Sequence, residues 1–386
     1  MLFRSGTMRA KDAADAIAEK LELASDERQS CAVTPGGKKF NVFDRTIRWT
    51  HQLSKLRGLT ANDASGVWRL TDLSDAKLEN IRPGVIVTII EHPLGVVLWS
   101  TAEAVEQKLD DRSLDLVLTS PPYSLTRPKE YDDGLTEAEH VKWLTERAAA
   151  WLPKIKPTGS LMLNLGDVWV PGEPTMSLWQ ERVLLNLVDR LGYKLVQKIY
   201  WENAAKMPQP AEWVTVRRIR LNHSVENIWW LSPTSMPKAH NDQVLVPYSA
   251  SMRRTLSNGT NAGTRPSGHV VSEKAFQADN GGSIPHNLLI ASNTASNTPY
   301  LRRCREAGIE PHPARFPAAL PEFAIKLTTD EGDLVFDPFG GSLQTAETCV
   351  ALNRRFITCD RSRHYLDGGV LRPLLSIQPQ SQACAG

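Results

Sequence analysis

A chain of 386 residues has room for two domains, and 41% hydrophobic with 23% charged residues describes a folded protein rather than a disordered or fibrous one. A formal charge of +2 excludes a chain that is basic throughout, so any nucleic-acid face must come from local clusters of Lys and Arg. The five cysteines form no Cys-x-x-Cys pair, which argues against a disulfide frame or a metal site and for a reducing cytoplasm; the start, Met-Leu-Phe-Arg-Ser, does not resemble a signal peptide.

Residues 1–85 read as a separate small module. Ala13, Ile17 and Leu21 recur at helical spacing, and Phe43, Ile47, Trp49, Leu53 and Leu56 define a second helical face that Gly58 ends. Gly66 to Thr71 reads as a strand after a turn. The apolar stretch Val85 to Trp99 is broken by Glu91, His92 and Pro93 and is too short to span a bilayer, so no membrane partner is expected. From residue 86 to 231 strands and helices alternate. Gly95 to Trp99, Leu114 to Leu118, Gly159 to Leu165, Leu195 to Trp201 and Val225 to Leu231 are strand candidates. His140 to Leu152 and Leu178 to Leu191 are helix candidates, the second closed by Gly192. Such alternation argues for an open α/β sheet. Residues 232–310 turn to Ser, Asn, Gly, Pro and Thr and read as a long irregular insertion. Order returns over 311–370: a helix over Pro321 to Thr328, a strand into Asp337, a helix from Ser342 to Leu352 and a strand Phe356 to Cys359. Residues 371–386 read as a frayed tail.

Two turns carry the chemistry. Asp337-Pro338-Phe339-Gly340-Gly341-Ser342 follows a strand, where glycines let backbone approach a ligand closely, and Asp360 ends the next strand, where a carboxylate can accept both hydroxyls of a ribose. A nicotinamide enzyme has a similar layout, although the Gly-x-Gly-x-x-Gly spacing is absent. The other turn, Ser120-Pro121-Pro122-Tyr123, follows the buried strand that ends in Thr119. The amino nitrogen of cytosine or adenine is a poor nucleophile because its lone pair is delocalised into the ring. Two acceptors aimed at its hydrogens, Ser120 Oγ and the Pro121 carbonyl, would free that pair, and Tyr123 would stack on a base extruded from the helix. Alone, the turn also suits a Pro-Pro-Tyr ligand of an adaptor domain. Cytosine-C5 chemistry is excluded, because it needs a cysteine, normally after proline, and no cysteine here follows one.

Thr119 to Tyr131, Thr264 to His269, Asn280 to Pro285 and His312 to Pro317, in that order, resemble the β-class DNA amino-methyltransferases of the cytosine-N4 type over residues 95 to 368. The resemblance implies a seven-stranded Rossmann-like methyltransferase sheet with circularly permuted motif order, a recognition insertion between catalytic and cofactor motifs, and S-adenosyl-L-methionine as cofactor without a metal. It implies double-stranded DNA as substrate and a restriction endonuclease as partner. Ser120, Pro121, Pro122 and Tyr123 would hold the flipped base. Asp337, Phe339, Gly340, Gly341, Ser342, Asp360 and Thr119 would hold the cofactor, with Pro313 and Phe316 at the start of a covering helix. Two departures stand out: Leu343-Gln344 where the family turn continues with hydroxyl residues, and Trp99-Ser100 where related enzymes have Gly-Asp-Ser. Serine before Pro-Pro-Tyr marks the cytosine-N4 enzymes, with adenine-N6 the alternative. A regulator with a vestigial methyltransferase fold remains the reading from another class. Arg127, Lys129, Arg253, Arg254, Arg265 and Lys274 are candidate DNA contacts. Arg45 to Trp49, Gly58-Leu59 and Gly66 to Thr71 resemble the N-terminal winged helix of Mrr-type restriction proteins.

Overall fold

A computed structural model describes residues 7–20, 23–33, 39–45, 47–48, 60–62, 67–70, 80–122, 135–203, 205–272, 275, 278–293, 295–315 and 317–375. Two compact units meet in sequence at Asn80 and Ile81.

In the first unit, strand β1 (Thr7–Arg9) leads into helix α1 (Ala10–Lys20) and the short helix α2 (Ser25–Arg28). Strands β2 (Cys31–Val33) and β3 (Lys39–Asn41) pair antiparallel. Strands β4 (Thr60–Asn62) and β5 (Val67–Leu70) complete a small sheet ordered β1-β5-β4. Of the expected helical face Ala13 is buried and Ile17 half-buried, with Ala14 and Ala18 buried beside them, while Leu21 lies outside the described residues; Trp68 of β5 is buried too. Arg28 binds both Asp15 (2.5 Å) and Asp44 (2.9 Å). Residues 42–45 and 47–48 are helical, while Trp49, Leu53, Leu56 and Gly58 lie outside the described residues.

The second unit is built on one sheet of nine strands. They are β6 (Ile86–His92), β7 (Gly95–Ser100), β8 (Leu114–Thr119), β9 (Ile155–Leu165), β10 (Lys194–Glu202), β11 (Val225–Ser232), β14 (Leu288–Ile290), β15 (Leu334–Asp337) and β16 (Arg355–Asp360). Across the sheet the order is β14-β10-β11-β9-β8-β15-β16-β7-β6. β8 is parallel to both β9 and β15, and β15-β16-β7 continue parallel. β11 runs against β9 and β10. The sheet has nine strands where seven were expected. The sheet is wider because the broken apolar stretch at Val85 to Trp99 folds back on itself as the β6–β7 hairpin, and because β14 joins β10. Every residue of β8 is buried, as befits a central parallel strand covered on both faces.

Helices α3 (Ala102–Glu106), α4 (Glu137–Trp151) and α5 (Trp179–Leu185) lie between β7 and β10 in the chain, and α5 runs on into a wider π turn, Asn186–Arg190. α4 starts in a capping box between Thr136 and Glu139. The insertion is more ordered than its composition suggests. It holds helix α6 (Ala250–Asn258), capped by Ser249, and the hairpin β12 (Gly263–Thr264) with β13 (Val270–Val271). Helices α7 (Pro299–Glu306), α8 (Ala319–Thr328), α9 (Gln344–Ala351) and α10 (Arg363–Gly369) complete the unit. One core face centres on Leu144, Trp151, Trp229 and Phe336, the other on Met162, Ile325, Val335 and Leu343. Among the described residues no helix is long and apolar enough to cross a membrane.

Candidate active site

The site lies where the parallel strands end. β8 and β15 are neighbours, with Leu116 opposite Val335 and Val117 opposite Phe336, so Thr119 and Asp337 reach the same edge. There the Thr119 hydroxyl donates to Asp337 Oδ1 at 2.7 Å, in a bond buried from solvent. This contact joins the two turns that the sequence singled out, 218 positions apart. Ser120 follows half-buried, Pro121 is buried and Pro122 is half-buried. Tyr123 lies outside the described residues.

Asp337 also accepts from the Phe339 N–H at 3.2 Å. Burial pushes its carboxyl up to about 6, against the pull of the Thr119 bond. Its two hydrogen bonds tie the start of the glycine loop to the end of β8. The Asp360 carboxylate accepts from Gly341 N–H (2.9 Å) and Ser362 N–H (2.8 Å), pinning the glycine loop to the tip of β16. Burial raises this carboxyl too, outweighing its backbone donors. The residue as a whole is half-buried, at the strand end beside the glycine loop.

Both glycines are required by geometry. A Cβ on Gly340 would sit 2.1 Å from Thr358 Oγ1. Gly341 has φ +48°, and a Cβ there would meet the His312 ring at 3.1 Å. Phe339 packs by its ring against Trp143 (5.5 Å) and Trp151 (6.3 Å) of α4. Behind it Trp143 donates to Glu103, and Arg147 pairs with Glu106, whose carboxyl burial pushes up to about 7. The loop thus presents backbone at Gly340 and Gly341, one aromatic ring and one carboxylate.

Ser342 points elsewhere: Arg372 donates to both its carbonyl and its hydroxyl and pairs with Glu347. Pro313 is exposed. The residue of that segment which meets the loop is His312, whose N–H is received by Tyr300 Oη and whose ring lies edge-on to Tyr365 at 4.2 Å. The expected covering helix starts not at residues 312–316 but at Ala319, because Pro313 and Pro317 interrupt the chain before α8. Phe316 lies outside the described residues. Ser100, where an acidic contact was absent from the motif, is buried and donates to the Val85 carbonyl; its neighbour Trp99 stands beside Asp360 across the β7–β16 pair.

Of the candidate DNA contacts, Arg253, Arg254 and Arg265 are exposed. Arg254 and Arg265 bond only local carbonyls, of Ala250 and Asn261, and Arg253 bonds the Tyr248 carbonyl. Arg127, Lys129 and Lys274 lie outside the described residues. A polar chain beside the catalytic turn was not foreseen. His223 Nε2 lies 3.0 Å from Asp167 Oδ2, Gln180 donates to Asp167 Oδ1, and Asn227 donates to Gln180. No spacing in the chain links His223 to Asp167.

Residues 114–370 match the model of the N6 and N4 DNA methylase family, and residues 2–80 match the Mrr N-terminal domain. The chain belongs to the DNA methylase family. The type II methyltransferase M.PvuII of Proteus hauseri is 41% identical over 69% of this methylase and 80% of its own length. M.BglI of Bacillus subtilis is 28% identical over 67% and 79%. The solved PvuII DNA methyltransferase, described as cytosine-N4-specific, superposes with a TM-score of 0.59 at 34% identity, covering 74% of this methylase and 87% of that chain. The methylase is thus an α/β methyltransferase with a large mixed sheet and a DNA substrate class, and the vestigial-regulator reading loses its ground.

Proposed function

We propose that this methylase transfers a methyl group from S-adenosyl-L-methionine to the N4 amino group of a cytosine flipped out of double-stranded DNA, as the modification partner of a restriction endonuclease. The observation that carries the proposal is the buried Thr119–Asp337 bond, which holds the Ser-Pro-Pro turn and the glycine loop at one edge of the sheet. Serine at position 120 and the likeness to the cytosine-N4-specific PvuII enzyme favour cytosine over adenine.

The residues fit the cofactor. Asp360 would accept ribose hydroxyls, Gly340 and Gly341 let the loop pack tightly against Thr358 and His312 and so present backbone at the strand end, and Phe339 supplies a flat apolar wall. When bound, S-adenosylmethionine supplies an electrophilic methyl group on a sulfonium. Ser120 Oγ and the Pro121 carbonyl accept the two amino hydrogens and turn the nitrogen lone pair towards the loop. Pro121 and Pro122 fix that turn, and Tyr123 stacks on the base. Asp337 holds the two turns in register rather than touching the cofactor. In this reading residues 232–310 form the recognition insertion, the N-terminal unit is a winged helix that adds DNA contacts, and the motif order is circularly permuted. Incubation of plasmid DNA with protein and cofactor, followed by nucleoside mass spectrometry, should give N4-methylcytosine. N6-methyladenine would move the assignment to the other base, and no methylated nucleoside would refute it.

A further inference from the structure

The connection between β10 and β11, residues 203–224, carries an exposed apolar and basic cluster that neither the catalytic turn nor the glycine loop uses. It leaves the sheet at the same edge as Thr119, because β10 is parallel to β9 and β8 through the reversed β11. β11 stands two strands from β8, about 10 Å away. The base of the connection is tied to that edge: His223 Nε2 lies 3.0 Å from Asp167, just past β9, and Arg220 donates to the Pro174 carbonyl at 2.7 Å. A short π turn, Glu212–Val216, ends in Arg217, which stacks 4.9 Å over Trp213 and pairs with Glu212. Next comes Arg218 with φ +57°, a left-handed position unusual for arginine. Ile219 is 49% exposed and Leu221 is 89% exposed.

Val216, Ile219 and Leu221 expose their apolar side chains within six positions, and it is such a cluster, not a single exposed leucine, that marks an interaction surface. Three arginines within four positions, on a chain of formal charge +2, call for a polyanion beside the apolar tip. We propose that Leu221 is the wedge that enters the DNA stack when the target base leaves it, with Arg218 and its neighbours Arg217 and Arg220 gripping the flanking phosphates. Base flipping costs a few kcal/mol in lost pairing and stacking, and an inserted apolar side chain recovers part of that cost. The inference rests on the base-flipping reading of the site and adds the element that opens the helix.

The test is single-turnover methyl transfer with labelled cofactor on two duplexes. Both carry the target sequence read from methylated plasmid DNA, and the second has an abasic site opposite the target base. Leu221→Ala should slow transfer roughly tenfold on the paired duplex and less than about twofold on the abasic one, which has no pair to break. Equal slowing on both duplexes, or none on the paired one, overturns the wedge. Arg218→Ala should weaken binding and lower the slope of log affinity against log salt by about one. An unchanged slope overturns the phosphate contact. Wild-type protein that methylates neither duplex refutes the functional reading and this inference with it, whereas a normal wild-type with an indifferent Leu221→Ala refutes the inference alone.

Discussion

Replacing Thr119 by valine keeps the volume and removes the one side-chain hydroxyl that donates to Asp337 from β8. A hydrogen bond to a charged buried group contributes about 2 kcal/mol, and its loss leaves Asp337 with the Thr345 side chain and the longer Phe339 N–H bond. The deficit must depend on pH. The Asp337 carboxyl is raised from 3.8 to about 6 in the folded protein. Below 3.8 it is protonated in both states and exerts no penalty. As pH rises through 6 the unfolded chain ionises first, so folding loses about 3 kcal/mol on this account. The Thr119 bond limits that loss by stabilising the carboxylate. Without it the folded carboxyl titrates higher still, and the variant keeps losing stability beyond pH 6. Urea unfolding at pH 8 should show Thr119→Val less stable than wild type by about 2 kcal/mol, shrinking to about 1 kcal/mol at pH 4.5. A deficit equal at both pH values, or none at pH 8, would refute the view that this bond holds an ionised carboxylate in place.

Ser120→Ala should reduce methyl transfer at least about a hundredfold while calorimetric cofactor affinity stays within about twofold; intact turnover removes Ser120 from the chemistry. Asp360→Ala should weaken cofactor binding roughly tenfold or more, since the Gly341 and Ser362 N–H groups lose their acceptor together with the ribose hydroxyls, and an unchanged dissociation constant would place the ribose elsewhere. A chain beginning at Ile81 should keep methyl transfer but bind DNA more weakly, with a shallower salt dependence; unaltered binding would make the N-terminal unit a packing element.

The strands that build the site were legible because they are central and parallel. Leu114 to Leu118 and Leu334 to Phe336 are almost unbroken apolar runs, and the one acid inside, Asp115, pairs with Lys156 at the strand's far end. Helix α7 carries its own start signal, with Thr298 as cap and Pro299 in the first turn, inside a stretch whose polar composition masks it. Strand β14 was not legible: three residues among Ser, Asn and Pro become a strand only because β10 offers them an edge. At the site, the glycines and Asp360 could be read from the turn. The contacts that make the turn work could not, since Thr119 on Asp337, Arg372 on Ser342 and His312 over Gly341 depend on which strands and helices become neighbours.

The strand order has a consequence for synthesis on the ribosome. β7 and β8 emerge early, yet between them the finished sheet places β15 and β16, which are translated last. Until then the nascent sheet has a gap two strands wide with open backbone on both sides. From Thr119 to Asp360 that gap persists for roughly 10 to 50 seconds at ordinary elongation rates. Those unpaired edges invite mispairing with other chains throughout that interval, so the yield of soluble methylase should depend on holdase chaperones more than that of a protein whose central strands arrive in order.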